Sequence, residues 1–146
     1  MKQAIEYLLF NSGISNYQVS KATGINQVVL GKYTNHVSDI GSMRLDNAIL
    51  IHNYFKEILK MAESKFGSIT FEGKKYTLTA VADFSGRQLL DWQVSEGYAH
   101  FIAPALDADG NEYQVEWILK TIYDNGEGIE DLGELDWDNI NRVVAK

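Results

Sequence analysis

Over its first 66 residues the chain spaces its apolar side chains as a helix does; beyond residue 67 it spaces them as a strand does. Lys2 to Ser12 predicts a first helix with Ile5, Leu8 and Leu9 on one face, widened by Tyr7 and Phe10. Asn11-Ser12-Gly13 ends it, and Ile14 anchors the chain before the next helix. Ser15 to Tyr33 predicts two short helices about a tight turn at Gly24. Ser15 is the N-cap of the first, with Gln18 completing a capping box, and Val19 and Ser20 face inward. Gly24 supplies the backbone freedom needed past a helix end, Ile25 turns inward, and Asn26 caps the second helix. After the polar Thr34-Asn35-His36, Asp39 to Ser42 leads into a further helix. That helix carries Met43, Leu45, Ala48, Ile49, Ile51, Tyr54, Phe55, Ile58, Leu59 and Ala62, with a bend expected near His52-Asn53.

Near Phe66-Gly67 the period falls from about 3.6 residues to about 2. Ser68 to Val81, turning at Glu72-Gly73-Lys74, reads as a hairpin rich in β-branched and aromatic residues. Tyr98 to Leu106 and Glu112 to Leu119 are further strands about the turn Asp107-Ala108-Asp109-Gly110-Asn111, and Tyr113, Val115, Trp117 and Leu119 share one face. Ser85 to Gly97 fits a strand about as well as a short helix. Pro104 favours an edge or irregular position, and Arg142 to Ala145 predicts a short closing strand. The expected fold class is α+β, in two modules. Residues 1–66 form an all-α helix-turn-helix domain of four to five helices, and 67–146 a small acidic antiparallel β domain with three to five strands.

Helix, glycine turn and second helix within about twenty residues is the helix-turn-helix arrangement, whose second helix lies in the DNA major groove. Val19-Ser20, Gly24-Ile25-Asn26-Gln27, Leu30 and Tyr33 together resemble the Cro/phage-repressor (XRE-type) helix-turn-helix family over roughly the first sixty residues. By position, the resemblance makes Gln27, Val28, Gly31 and Lys32 the outward face of the recognition helix and puts Asn16 where the family meets the phosphate backbone. The chain departs from the pattern in two places. Val28 and Val29 stand where Ser or Thr is usual, and Gly31 lies inside the helix, at about 1 kcal/mol relative to Ala.

Charge sharpens the division. The net charge of -7 is uneven: residues 1–66 carry seven Lys or Arg against five acids, and residues 67–146 carry six against fifteen. The halves therefore suit different partners. With a net charge of only +2 on the helical half, useful DNA affinity needs a homodimer on a repeated site. No cysteine is present, so there is no disulfide and no thiolate metal site. Neither a signal peptide nor an apolar run long enough for a membrane helix is evident, and a cytoplasmic location is expected.

The recognition helix is the strongest chemical signal. Gln27 can donate to and accept from an adenine edge, and Val28 can touch a thymine methyl, with Gly31 on the same face. Lys21, Lys32, Asn16 and Asn35 are the candidate phosphate contacts on double-stranded DNA. In the second half, Asp124, Glu127, Glu130, Asp131, Glu134, Asp136, Trp137 and Asp138 form an acidic segment free of Lys and Arg. It reads as a solvated loop, as a mimic of nucleic-acid charge, or as a surface that docks on the protein's own basic half, with Trp137 able to anchor an interface or to pack on the sheet. Asp107, Asp109 and Asn111 have the spacing of a calcium loop's start. Gly110 and Ile118 fall in the wrong places for one, so a hairpin turn explains them. His36, His52 and His100 are scattered without a metal-ligand pattern, and Glu112, Glu116 and Lys120 suit an exposed strand face better than a nuclease site. No metal or cofactor and no enzyme activity are expected.

These residues support two readings. One is a sequence-specific transcriptional regulator of phage or mobile-element type, with an interaction domain attached. The other rests on organisation alone. A Cro-like module fused to a small acidic domain resembles some anti-CRISPR proteins. That resemblance implies that the acidic domain blocks a basic nucleic-acid-binding protein such as a Cas9-type nuclease, while the helix-turn-helix represses its own promoter.

Overall fold

Local signals in the first 66 residues close a small helical core. In the computed structural model, which describes residues 1–122 and 125–146, α1 spans Lys2–Glu6 and continues as a wider π turn, Tyr7–Asn11. The widening turns the adjacent Leu8 and Leu9 both inward. Then come α2 (Asn16–Thr23), α3 (Gln27–Thr34), a single 3-10 turn at Ile40–Ser42, and α4 (Leu45–Phe66). The helix α4 runs unbroken through His52-Asn53, where the sequence suggests a bend. Ile5, Leu8, Leu9, Val19, Ile25, Leu30, Tyr33, Ala48 and Ile51 form the core of this half.

Gly67 ends α4 at φ 84 and the chain becomes extended. Six antiparallel strands come next, against the three to five expected, because the two-residue β3 is too short to show an alternation: β1 (Ser68–Phe71), β2 (Lys74–Leu78), β3 (Asp83–Phe84), β4 (Tyr98–Leu106), β5 (Glu112–Lys120) and β6 (Arg142–Ala145). The sheet order is β1-β2-β4-β5-β6, and β3 pairs with β4 beyond the end of β2. Glu72 and Gly73, at φ 52 and 80, close the first hairpin as a two-residue turn needs. The undecided stretch before β4 contains a one-turn helix, α5 (Asp91–Ser95). The architecture is thus α+β, with helices concentrated in the N-terminal half and one antiparallel sheet after them.

Pro104 sits in the middle of β4, opposite Gln114, rather than on an edge strand. Its carbonyl accepts from Thr79 N at 3.0 Å, so its nitrogen also points away from β5, into the gap where β2 hands over to β3. No ladder bond is lost there.

One face of the sheet carries Phe101, Ala103, Ala105, Val115, Trp117 and Leu119, all buried, with Tyr76 and Leu135 packed beside them. Trp137 lies nearly perpendicular to Trp117 (centroids 5.2 Å apart) and Phe101 (5.2 Å).

The two halves share a junction. Ala4, Phe55 and Leu106 form one buried cluster, flanked by Tyr7 and Leu59. Gly110, in the β4–β5 turn, lies directly against α1: a Cβ there would stand 2.5 Å from the Cα of Ala4. Asn11 Nδ2 donates to Glu112 Oε2 at 2.9 Å, and Lys75 pairs with Glu63 at 2.7 Å.

The same turn is fastened by Asp107, which is 2% exposed. Its carboxylate accepts from the backbone N–H groups of Asp109 and Asn111, from the Asn111 amide, from Tyr113 OH and from Lys74 Nζ at 3.0 Å. Burial pushes this carboxyl up, but the bonds from Asn111, Lys74 and Tyr113 outweigh burial and hold it at about 2.

Candidate nucleic-acid interface

The unit α2–α3 is built from caps. Ser15 Oγ accepts from Gln18 N at 3.2 Å and Gln18 Oε1 accepts from Ser15 N at 3.1 Å, the full reciprocal box. Gly24 ends α2 at φ 80, a left-handed conformation that glycine adopts without penalty. Asn26 Oδ1 then accepts from Val28 N at 2.7 Å and starts α3. Leu30 and Tyr33 bury one side of α3, so positions 27, 28, 31, 32 and 35 line the other.

On that outer side Gln27, Val28, Lys32 and Asn35 are exposed and Gly31 is half-buried. Val28 is 69% exposed, a branched apolar side chain turned mostly to solvent. The Asn35 amide lies 3.8 Å from where a Cβ on Gly31 would stand, so the glycine leaves that face open. Lys21 and Lys32 are exposed and have no acidic partner among the described residues. Asn16 is placed differently from the other candidates: half-buried, it donates from Nδ2 to Thr34 Oγ1 at 3.0 Å and ties α2 to the end of α3. Exposed Tyr17 and Val37 add apolar surface in the same half.

The acidic segment lies in the other half. Glu127, Glu130, Asp131, Glu134, Asp136 and Asp138 are all exposed, while Asp124 lies outside the described residues. Asp131 Oδ1 caps a 3-10 turn at Leu132–Glu134 by accepting from Gly133 N at 2.9 Å. Trp137 is half-buried: its Nε1 donates to Leu132 O at 2.7 Å, and its own carbonyl accepts from Trp117 Nε1 at 2.8 Å. The tryptophan pins the acidic segment to the sheet.

In the sequence His100 and Glu116 stand apart, with Glu116 expected on an exposed strand face. The register instead brings them together across β4 and β5, both buried, with His100 Nε2 2.8 Å from Glu116 Oε1. Burial pushes the Glu116 carboxyl up, but the bonds from Arg142 and His100 outweigh it and set it below the usual carboxylate range. The alternation of β5 places Glu116 on the face opposite Trp117, but nothing local marks which strand lies beside it.

Comparison with family models, with curated proteins and with solved structures finds no match to this chain. Among the described residues no group of three or more His, Asp or Glu side chains is placed to hold a metal. Among them, too, no helix is long and apolar enough to cross a membrane.

Proposed function

We propose that the chain is a sequence-specific DNA-binding regulator in which α2 and α3 act as a helix-turn-helix. The observation that carries this reading is the outer face of α3. Gln27, Val28 and Lys32 are exposed together there, while Leu30 and Tyr33 fix the opposite side in the core. Gln27 supplies a bidentate partner for adenine and Val28 a methyl contact. Lys32, Lys21 and Asn35 supply charge and hydrogen bonds to phosphate. Asn16 sets the angle between the two helices through Thr34 and meets phosphate only if that bond exchanges. Two lone lysines make a weak monomer interface, so the reading includes a homodimer on half-sites about one helical turn apart. The test is selection of bound duplexes from a random pool by intact protein and by Gln27→Ala. An enriched motif that loses its preference at one base pair in the variant supports the reading. Identical motifs from both proteins contradict it.

The exposed carboxylates from Glu127 to Asp138 favour a second reading for the other half, an inhibitory surface for a basic nucleic-acid-binding protein such as a Cas9-type nuclease. Association with such a protein that weakens steeply with salt, and is lost when these carboxylates become amides, supports it.

A further inference from the structure

The sheet face opposite the Trp117 core carries a polar row that crosses several strands. Ser85, just after β3, sits opposite His100: its N–H donates to the His100 carbonyl at 3.1 Å. Ser85 Oγ is hydrogen-bonded to His100 Nδ1, and His100 Nε2 lies 2.8 Å from Glu116 Oε1. Arg142, opposite Glu116 on β6, donates from Nε to Oε2 at 2.7 Å, and Arg87 Nη1 reaches Oε1 at 3.5 Å.

These contacts set the proton positions. An ionised Glu116 can only accept, so His100 Nε2 donates to it. In the neutral ring Nδ1 is then an acceptor, and the Ser85 hydroxyl donates to it. This is the order of a serine nucleophile, its base and a carboxylate that orients the base, with the two ring nitrogens exchanged. His100 and Glu116 are 5% and 2% exposed, whereas Ser85 is half-buried beside exposed Gly86. The relay therefore starts in the interior and ends at solvent. Ser85 Oγ also accepts from the Arg87 N–H at 3.0 Å, which fixes the hydroxyl in the turn and holds it against the His100 ring.

We propose that Ser85 is a nucleophile toward small carboxylic esters, with His100 as its general base and Glu116 as a positioning residue. Oγ forms a bond to the carbonyl carbon while its proton passes to Nδ1, and the C=O electron pair moves onto oxygen. When the adduct collapses, the bond to the alcohol oxygen breaks, and the leaving alkoxide takes the proton from Nδ1. Water then repeats the sequence, releasing the carboxylic acid and restoring the hydroxyl. Because Ser85 is only partly exposed, the acyl group must be short, as in an acetyl ester. The arginines already offset much of the Glu116 charge, so the imidazolium gains little support and turnover is slow. A covalent trap is the right probe.

The test is intact-protein and peptide mass spectrometry after exposure to a small fluorophosphonate, with p-nitrophenyl acetate hydrolysis followed in parallel. The proposal expects one adduct, mapped to Ser85, forming faster than on urea-unfolded protein. Ser85→Ala, which removes a half-buried hydroxyl with its bonds to His100 and the Arg87 N–H, should abolish the adduct while leaving the circular dichroism unchanged. His100→Gln should slow labelling by about 10²-fold or more. No adduct on Ser85, or labelling no faster than in urea-unfolded protein, overturns the proposal. So does a His100→Gln protein that folds and labels at the original rate.

Discussion

Replacing Gly110 by alanine tests the junction between the helical half and the sheet. Gly110 has φ +91, so any Cβ there first meets left-handed strain of about 1–2 kcal/mol. The new atom would also lie 2.5 Å from Ala4 Cα and 2.7 Å from Ala4 N, well inside an ordinary carbon contact of about 3.5–4.0 Å. Both are backbone-level clashes that no rotamer change relieves, so α1 must move by on the order of 1 Å. That movement opens the buried Ala4, Phe55 and Leu106 cluster, and overpacking of this kind costs about 1–3 kcal/mol. The total is about 2–5 kcal/mol. Gly73 supplies the control. Its φ is +80, and nothing lies within 4 Å of its notional Cβ, so Gly73→Ala should lose only the conformational part. Urea unfolding of both variants, with the slopes compared, gives the difference directly. Equal losses would refute the reasoning, because they would mean that α1 does not rest on the β4–β5 turn.

The neighbouring contacts carry their own expectations. Phe55→Ala empties the middle of the junction and should cost about 3–5 kcal/mol by denaturant titration. Asp107 has a folded value of about 2 against an ordinary 3.8, so its stabilisation is present above the unfolded value and is lost as pH falls through about 2. The shift corresponds to about 2 kcal/mol, and Asp107→Asn should flatten this acid limb of the stability curve; an unchanged limb would assign it to other carboxylates. On DNA, Gln27→Ala should cost about 1–3 kcal/mol at one base pair only. Lys32→Ala should weaken all sequences alike and reduce the salt slope by about one. A base-selective loss at Lys32 would reverse those roles.

The α2–α3 unit is legible in the sequence because its determinants are local. Ser15, Gln18, Gly24 and Asn26 act within three residues of themselves, and the alternation around Trp117 shows its buried face directly. The hidden features depend on register or docking. Ser85, His100, Glu116 and Arg142 meet only because β3, β4, β5 and β6 are paired as they are. The contact of Gly110 with Ala4 joins residues far apart in the chain, and a glycine in a turn looks the same whether it faces solvent or a helix. Asn16 reads as free for phosphate because a partner eighteen residues away, Thr34, carries no sequence signal. Trp137 between two aspartates can be read as an interface anchor or as packing on the sheet, and its ring packs against Trp117 and Phe101. The one-turn helix Asp91–Ser95 is too short for periodicity to decide.

The most direct test of the central claim is a fluorescence-anisotropy titration of the intact protein on duplex DNA from upstream of its own coding sequence. A scrambled duplex and several salt concentrations complete the design. The account predicts saturable binding that weakens with salt, favours the upstream sequence, and loses that preference in Gln27→Ala. Equal affinity for both duplexes, or no binding at low salt, would contradict the assignment of α3 as a reader of DNA.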